Sequence, residues 1–243
     1  MRVILATASA VAVVSSSAFA DIVSLVADRD ASLYESSTTE LGNGAGQYFF
    51  CGRTNNALAR RSVLSFDFSS LGAGVVITNA TLTLHYSQGQ ATTTSASLHR
   101  ALASWTEGPT DPDGNEGAGA PAVPGDVTWT HRSFGGDAWA NPGGDFAALA
   151  SATTLVGPDF GFVTFTSASL AADVQSWLDG AFANDGWFLL GDESGAGTSK
   201  RFDSSENGEA LFRPTLTIEY VVPAPSAALV LVAALWSRRR RRA

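Results

Sequence analysis

Two stretches of the chain alternate apolar and polar residues with a period of two, and that pattern restricts the fold more than any other feature. In Ser62-Val63-Leu64-Ser65-Phe66-Asp67-Phe68, the residues Leu64, Phe66 and Phe68 share one face, and Val63, Ser65 and Asp67 share the other. In Ala80-Thr81-Leu82-Thr83-Leu84-His85-Tyr86, Leu82, Leu84 and Tyr86 point inward while Thr81, Thr83 and His85 point outward. Successive side chains of a strand project to opposite faces, so this spacing gives an apolar face only to a β-strand. Similar runs predict strands at Ile22–Ala27, Gln47–Cys51, Ser97–Leu102, Phe162–Phe165, Trp187–Leu190 and Pro214–Val221, separated by turns rich in Gly, Asn, Asp and Ser.

One segment breaks this rhythm. Leu170, Val174, Trp177 and Leu178 fall at helical spacing, Ser167 or Ser169 is placed to cap the start, and Gly180 to stop the end. A short helix over about 167–180 is therefore expected within an all-β sandwich. About 200 residues at 45% hydrophobic content suit one such domain. The long Gly-, Pro- and Asp-rich segment Glu107–Ala150 carries no regular pattern, and a loop of that length is expected to be functional or disordered.

The chain ends read as address signals. Arg2, the apolar and small run Val3–Val14 and the small residues Ala18 and Ala20 form a secretory signal, with cleavage expected between Ala20 and Asp21. At the other end Pro223-Ala224-Pro225-Ser226 precedes the apolar run Ala227–Trp236, then Ser237 and Arg238, Arg239, Arg240, Arg241 and Arg242. A Pro break, an apolar segment and a terminal Arg cluster resemble PEP-CTERM sorting signals. That resemblance implies passage through a signal peptidase and an exosortase-type enzyme, transient contact with the membrane, and a destination at the cell surface or outside. Three segments follow: a signal at 1–20, a domain at 21–222 and a sorting signal at 223–243.

Without Arg2 and Arg238–Arg242 the chain keeps 9 Lys plus Arg against 23 Asp plus Glu, a net charge of −14. Phosphate backbones repel such a body, so nucleic acid is excluded as a partner. An acidic surface is compatible with calcium or a neutral polysaccharide as partner. Cys51 is the only cysteine, so an intrachain disulfide is impossible, and its place in Tyr48-Phe49-Phe50-Cys51 marks it as a small buried hydrophobe.

A wider resemblance emerges from Arg60-Arg61-Ser62-Val63-Leu64-Ser65-Phe66-Asp67-Phe68 with Ala80-Thr81-Leu82-Thr83-Leu84. Ser104-Trp105-Thr106-Glu107-Gly108, Pro142-Gly143-Gly144-Asp145-Phe146, Asn184-Asp185-Gly186-Trp187 and Arg213-Pro214-Thr215-Leu216 continue it. In this order they resemble the DNRLRE-type domain, which is similar to jelly-roll carbohydrate-binding modules, some of them for acidic polysaccharides. The resemblance implies a single jelly-roll β-sandwich and polysaccharide binding without catalysis. Arg53, Arg60 and Arg61 are the nearest approach to a cationic cluster for an anionic glycan.

Sugars are held by aromatic faces flanked by polar groups. Trp129 and Trp139, in the irregular segment, are the candidate platforms, with core plugs beneath the loop as the alternative for each; Arg53 and Arg60 are the candidate polar partners. Asp111, Asp113 and Asn115 place oxygen ligands at alternate positions, as a calcium loop opens, but positions six and twelve are Glu116 and Ala122 rather than Gly and Glu. A structural calcium is thus a candidate cofactor, with a solvated turn as the alternative. His85, His99 and His131 show no metal spacing, and no nucleophile elbow or paired acids can be named. A non-catalytic exported glycan-binding module is expected. The alternatives are a structural surface protein without specific sugar binding and, less favoured, a polysaccharide lyase or hydrolase.

Overall fold

The cleanest alternation in the sequence lies on the longest strand of the protein in the computed structural model, which describes residues 20–223. The strands in chain order are β1 (Ala20–Val26), β2 (Arg29–Tyr34), β3 (Leu41–Gly42), β4 (Tyr48–Arg53), β5 (Ala59–Ser65) and β6 (Val76–Gly89). Then come β7 (Thr94–Arg100), β8 (Ala120–Pro121), β9 (Ala152–Val156), β10 (Gly161–Thr166) and the helix α1 (Ala168–Leu178). β11 (Trp187–Gly191), β12 (Lys200–Asp203) and β13 (Thr215–Val221) complete the chain. All pairings are antiparallel.

The sheet curls into two layers, giving the all-β sandwich-like fold that the alternation predicts. The first layer holds β1, β13, β6, β10 and β12; the second holds β2, β5, β11, β7 and β9. β4 belongs to both, pairing with β12 through Tyr48–Cys51 and with β5 through Gly52 and Arg53. Gly52 makes that corner possible. Its φ is +96°, and a Cβ there would lie 2.7 Å from the Thr198 carbonyl oxygen.

Between the layers lies the larger apolar core, built from Leu82, Leu84 and Tyr86 of β6, Leu64 of β5, Leu189 of β11 and Phe202 of β12. Helix α1 closes one end of it. The Ser167 hydroxyl accepts the Leu170 N–H at 2.9 Å, which caps the helix, and Leu170, Val174 and Trp177 are buried at the predicted spacing. Trp177 stacks on Phe68 and packs against Trp187 with ring centres 4.5 Å apart.

Three features depart from the sequence reading. β5 ends at Ser65, so Phe66 and Phe68 fill the core from the following turn rather than from the strand. Val63 and Ser65, on the face opposite Leu64, are buried as well. The cause is the Glu107–Ala150 segment, which is ordered and lies over the outer face of the second layer. Val127 and Trp139 from that segment join Trp105, Ala31, Leu33, Val63 and Phe188 in a second apolar core. β5 is thus covered on both faces, and its alternation no longer separates core from solvent. β2, β9 and β12 were also not anticipated; Lys200-Arg201-Phe202-Asp203 is four residues long and offers too short a pattern.

Candidate functional site

The outer face of the first layer carries the candidate site. Because β6 buries Leu82, Leu84 and Tyr86, alternation sends Thr83, His85 and Ser87 outward. β12 turns Arg201 and Asp203 the same way about buried Phe202, and β4 turns Tyr48 outward beside buried Phe49. Register then aligns them. Asp203 lies opposite Tyr48, Phe202 opposite Tyr86, and Phe162 opposite His85, so Tyr48, Asp203, His85 and Phe162 form one row across β4, β12, β6 and β10.

Asp203, almost fully buried, accepts a short hydrogen bond from or pairs with the His85 Nδ1 and so sets the plane of its ring. The turn between β12 and β13 lays Phe212 flat on that ring, with centres 3.9 Å apart and planes 8° from parallel. Phe162 meets the same imidazole edge-on at 5.0 Å and remains 54% exposed. The Arg201 guanidinium sits over the Tyr48 ring at 3.7 Å, and its Nε donates to the Ser87 hydroxyl at 3.2 Å.

Two clefts meet at Arg201. One, of about 360 Å³, is lined by Tyr48, His85, Asp203, Glu209 and Phe212 as well as Arg201. The other, of about 380 Å³, adds Phe50, Arg53, Gln88, Gln90 and Asn115. Together they make an open groove across the outer face. It offers aromatic faces, amides, hydroxyls, carboxylates and guanidinium groups, a combination suited to holding a polar ligand with apolar ring faces.

The residues singled out from sequence are distributed unevenly about this groove. Arg53 and Asn115 line it. Arg60 does not: it is 6% exposed, lies over the Tyr34 ring at 4.8 Å and donates to the Ala59 carbonyl, because the covering segment closes over it. Arg61 is held by Glu193 through two hydrogen bonds of 2.8 Å. Trp139 is also corrected. Only 5% exposed, it packs edge-on to Phe188 and donates its indole N–H to the Thr128 carbonyl, which makes it a core plug rather than a platform. Trp129 is half-buried, with Arg61 over its ring at 4.9 Å.

Asp111, Asp113 and Asn115 are exposed on a turn, and the Asn115 side chain accepts the Gly117 N–H. Glu116, at the sixth position of that turn, has φ +62° but turns its carboxylate inward to the N–H groups of Gln47 and Tyr48. Among the described residues no three His, Cys, Asp or Glu side chains are arranged to hold a metal ion. Ala20 and Asp21, at the expected cleavage point, open β1 and pair with Val221 and Tyr220, while Pro223 ends the described chain. Residues 1–19 of the signal segment, Pro225, and Arg238, Arg239 and Arg240 lie outside the described residues. No helix among the described residues is long and apolar enough to cross a membrane.

Burial displaces the pKa values of several groups in and beneath the sandwich. Burial pushes the Cys51 thiol up to about 12, leaving it a protonated core residue. Burial likewise raises Glu107 to about 7 and Asp30 well above the ordinary carboxylate range, with the nearby Glu206 charge adding to both. The Glu107 carboxylate accepts the Asp30 backbone N–H at 2.8 Å, tying the start of the covering segment to β2.

His85 and Asp203 went unrecognised in the sequence because they are 118 positions apart. The available signal was the outward position of an imidazole on an otherwise Thr- and Ser-bearing strand face. No protein-family model matches this chain, and none of the curated proteins matches it.

Proposed function

We propose that this protein is a non-catalytic glycan-binding module, exported from the cell, whose site is the groove on the outer face of the first layer. The observation that carries the reading is the cross-strand row Tyr48–Asp203–His85–Phe162, with Phe212 stacked on His85 and two polar clefts opening on either side of Arg201. Sugar rings present C–H faces to aromatic groups and hydroxyls to amides and carboxylates, and this groove supplies both. His85 has Phe212 on one face and Asp203 on Nδ1, which suits a fixed wall better than a mobile proton carrier.

The resemblance to DNRLRE-type domains supports the same reading. The terminal segments support processing by a signal peptidase and an exosortase-type enzyme before the domain acts at the surface or outside. A calcium ion on the Asp111–Asn115 turn, beside the second cleft, would stiffen its rim.

Affinity electrophoresis of the purified protein through gels containing individual polysaccharides tests the function, with calcium and with chelator. At least one polysaccharide should retard the protein, and Phe212→Ala or Arg201→Ala should abolish the retardation while Trp129→Ala leaves it. Failure of every polysaccharide to retard the protein sinks the reading. Release of new reducing ends or unsaturated sugars from any of them would replace it with catalysis.

A further inference from the structure

One edge of the first layer is open. β1 pairs with β13 on one side, and among the described residues no strand lies on its other side. By contrast, β9 and β10 lie against each other, and β2 donates from the Ser32 N–H to the Asn43 carbonyl. β1 carries none of the devices that blunt an edge. Ile22-Val23-Ser24-Leu25-Val26 has no Lys, no Pro and no charge, and its pairing with β13 runs without a bulge. Ile22 is 63% exposed and Val26 48%, while Val23 and Leu25 on the inner face are only partly buried.

The ladder to β13 fixes where the backbone of this edge points. The Ala27 N–H donates to the Pro214 carbonyl, so alternation turns the polar groups of Leu25 and Val23 towards β13. Those of Val26, Ser24 and Ile22 face the open side. The Ile22 N–H accordingly donates to the carboxylate of its own neighbour, Asp21, at 2.9 Å.

About Ser24 the segment is symmetrical in character. A second copy running antiparallel and centred there sets Ser24 against Ser24, Ile22 against Val26 on the outer face, and Val23 against Leu25 on the inner face. In that register the open-side groups of Ile22, Ser24 and Val26 meet as hydrogen-bonded pairs. Charge favours the same place. Each copy without its terminal segments bears a net charge of −14, and along Ile22–Val26 two copies touch with no carboxylate opposite another.

We infer that β1 is a dimer edge, through which two copies join along Ile22–Val26 into one continuous first layer about a two-fold axis at Ser24. The axis stands perpendicular to the sheet, so both outer faces, each with its groove, turn the same way. The contact is one strand of seven residues per copy, which suits micromolar association rather than a permanent dimer. It stands whether or not the groove holds a polysaccharide.

Sedimentation velocity over a concentration series, beside cysteine cross-linking, tests this. The purified protein should pass from monomer to dimer with a dissociation constant on the order of 10 μM, and added salt should strengthen the dimer by screening the net charge. Ser24→Pro removes an open-side N–H without touching the backbone ladder to β13, and Ile22→Lys places a charge on the edge. Each should weaken association at least about ten-fold. Leu211→Lys, at an apolar residue that is 74% exposed elsewhere, should leave it unchanged. Ser24→Cys should cross-link two copies under mild oxidation faster than Thr164→Cys. Facing α-carbons of a hydrogen-bonded pair stand about 5.5 Å apart, within reach of a disulfide, and the native Cys51 is buried. Ile22→Lys carries the test if Ser24→Pro does not fold. A protein that stays monomeric well above that concentration, or a dimer that both edge variants leave intact, overturns the inference.

Discussion

The two outer faces of the sandwich begin from similar strands and end differently. On the second layer the Glu107–Ala150 segment lies down over β2, β5 and β11, and Trp105, Val127, Trp139 and Phe188 form a core beneath it. Gly143 and Gly144 bring that cover close. Both have positive φ, and a Cβ on Gly144 would lie 2.2 Å from the Phe188 ring. On the first layer nothing among the described residues covers His85, Phe162 or Tyr48 to the same extent, and the rings meet solvent along a groove. An aromatic under a cover contributes to stability; one on an open face is available to a ligand. Position in the chain does not separate the two cases, since the irregular loop holds the buried Trp139 and the regular strands hold the open site.

The sharpest way to break this contrast is Trp139→Ala. It should lower unfolding free energy by about 3–5 kcal/mol, the usual loss for a large buried aromatic, and leave polysaccharide retardation intact. Chemical denaturation beside affinity electrophoresis reads both. Retardation lost by a variant that still folds would move the site to the covered face.

Arg201→Ala inverts the pattern. Binding should weaken by about 1.5–3 kcal/mol, as for a hydrogen bond to a charged group, while the melting temperature moves little because its guanidinium lies on a half-buried surface ring rather than in a core. Titration calorimetry and a thermal melt on the same preparation decide this.

The covering segment should also respond to pH. Glu107 has a folded-state pKa of about 7, raised by burial above its unfolded value, so the native state holds the proton across that window. Its contribution favours folding below the unfolded pKa, fades as pH rises towards about 7, and is flat beyond. Asp30 acts in the same sense. The fall should be on the order of 1–3 kcal/mol and should flatten in Glu107→Gln, as followed by urea denaturation at a series of pH values. Stability that instead rises over this interval would mean the pair is ionised and compensated, as by a bound cation. The smallest effect belongs to Thr164→Ala, on the open face away from the groove, which should change stability by no more than about 0.5 kcal/mol and binding not at all.

Much of the architecture was legible from residue order. The alternation at 80–86 specified both the strand and the side chains it buries, because each residue's face follows from its neighbours two positions away. The helix was readable for the same reason: Leu170, Val174 and Trp177 interact with a surface through local periodicity, and Ser167 caps it locally. Arg53 was also picked out, though for membership in a cluster with Arg60 that the fold takes apart.

What depended on tertiary structure was everything that required distant segments to meet. Whether Val63 faces solvent depends on a loop more than forty residues away lying over it. Trp139 is a plug, and Arg60 is buried, through that same cover. The row of Tyr48, Asp203, His85 and Phe162 draws on four strands spread over residues 48–203, and only the register between those strands makes them neighbours. Local periodicity determines which face a side chain occupies; the long-range pairing of strands decides what stands beside it.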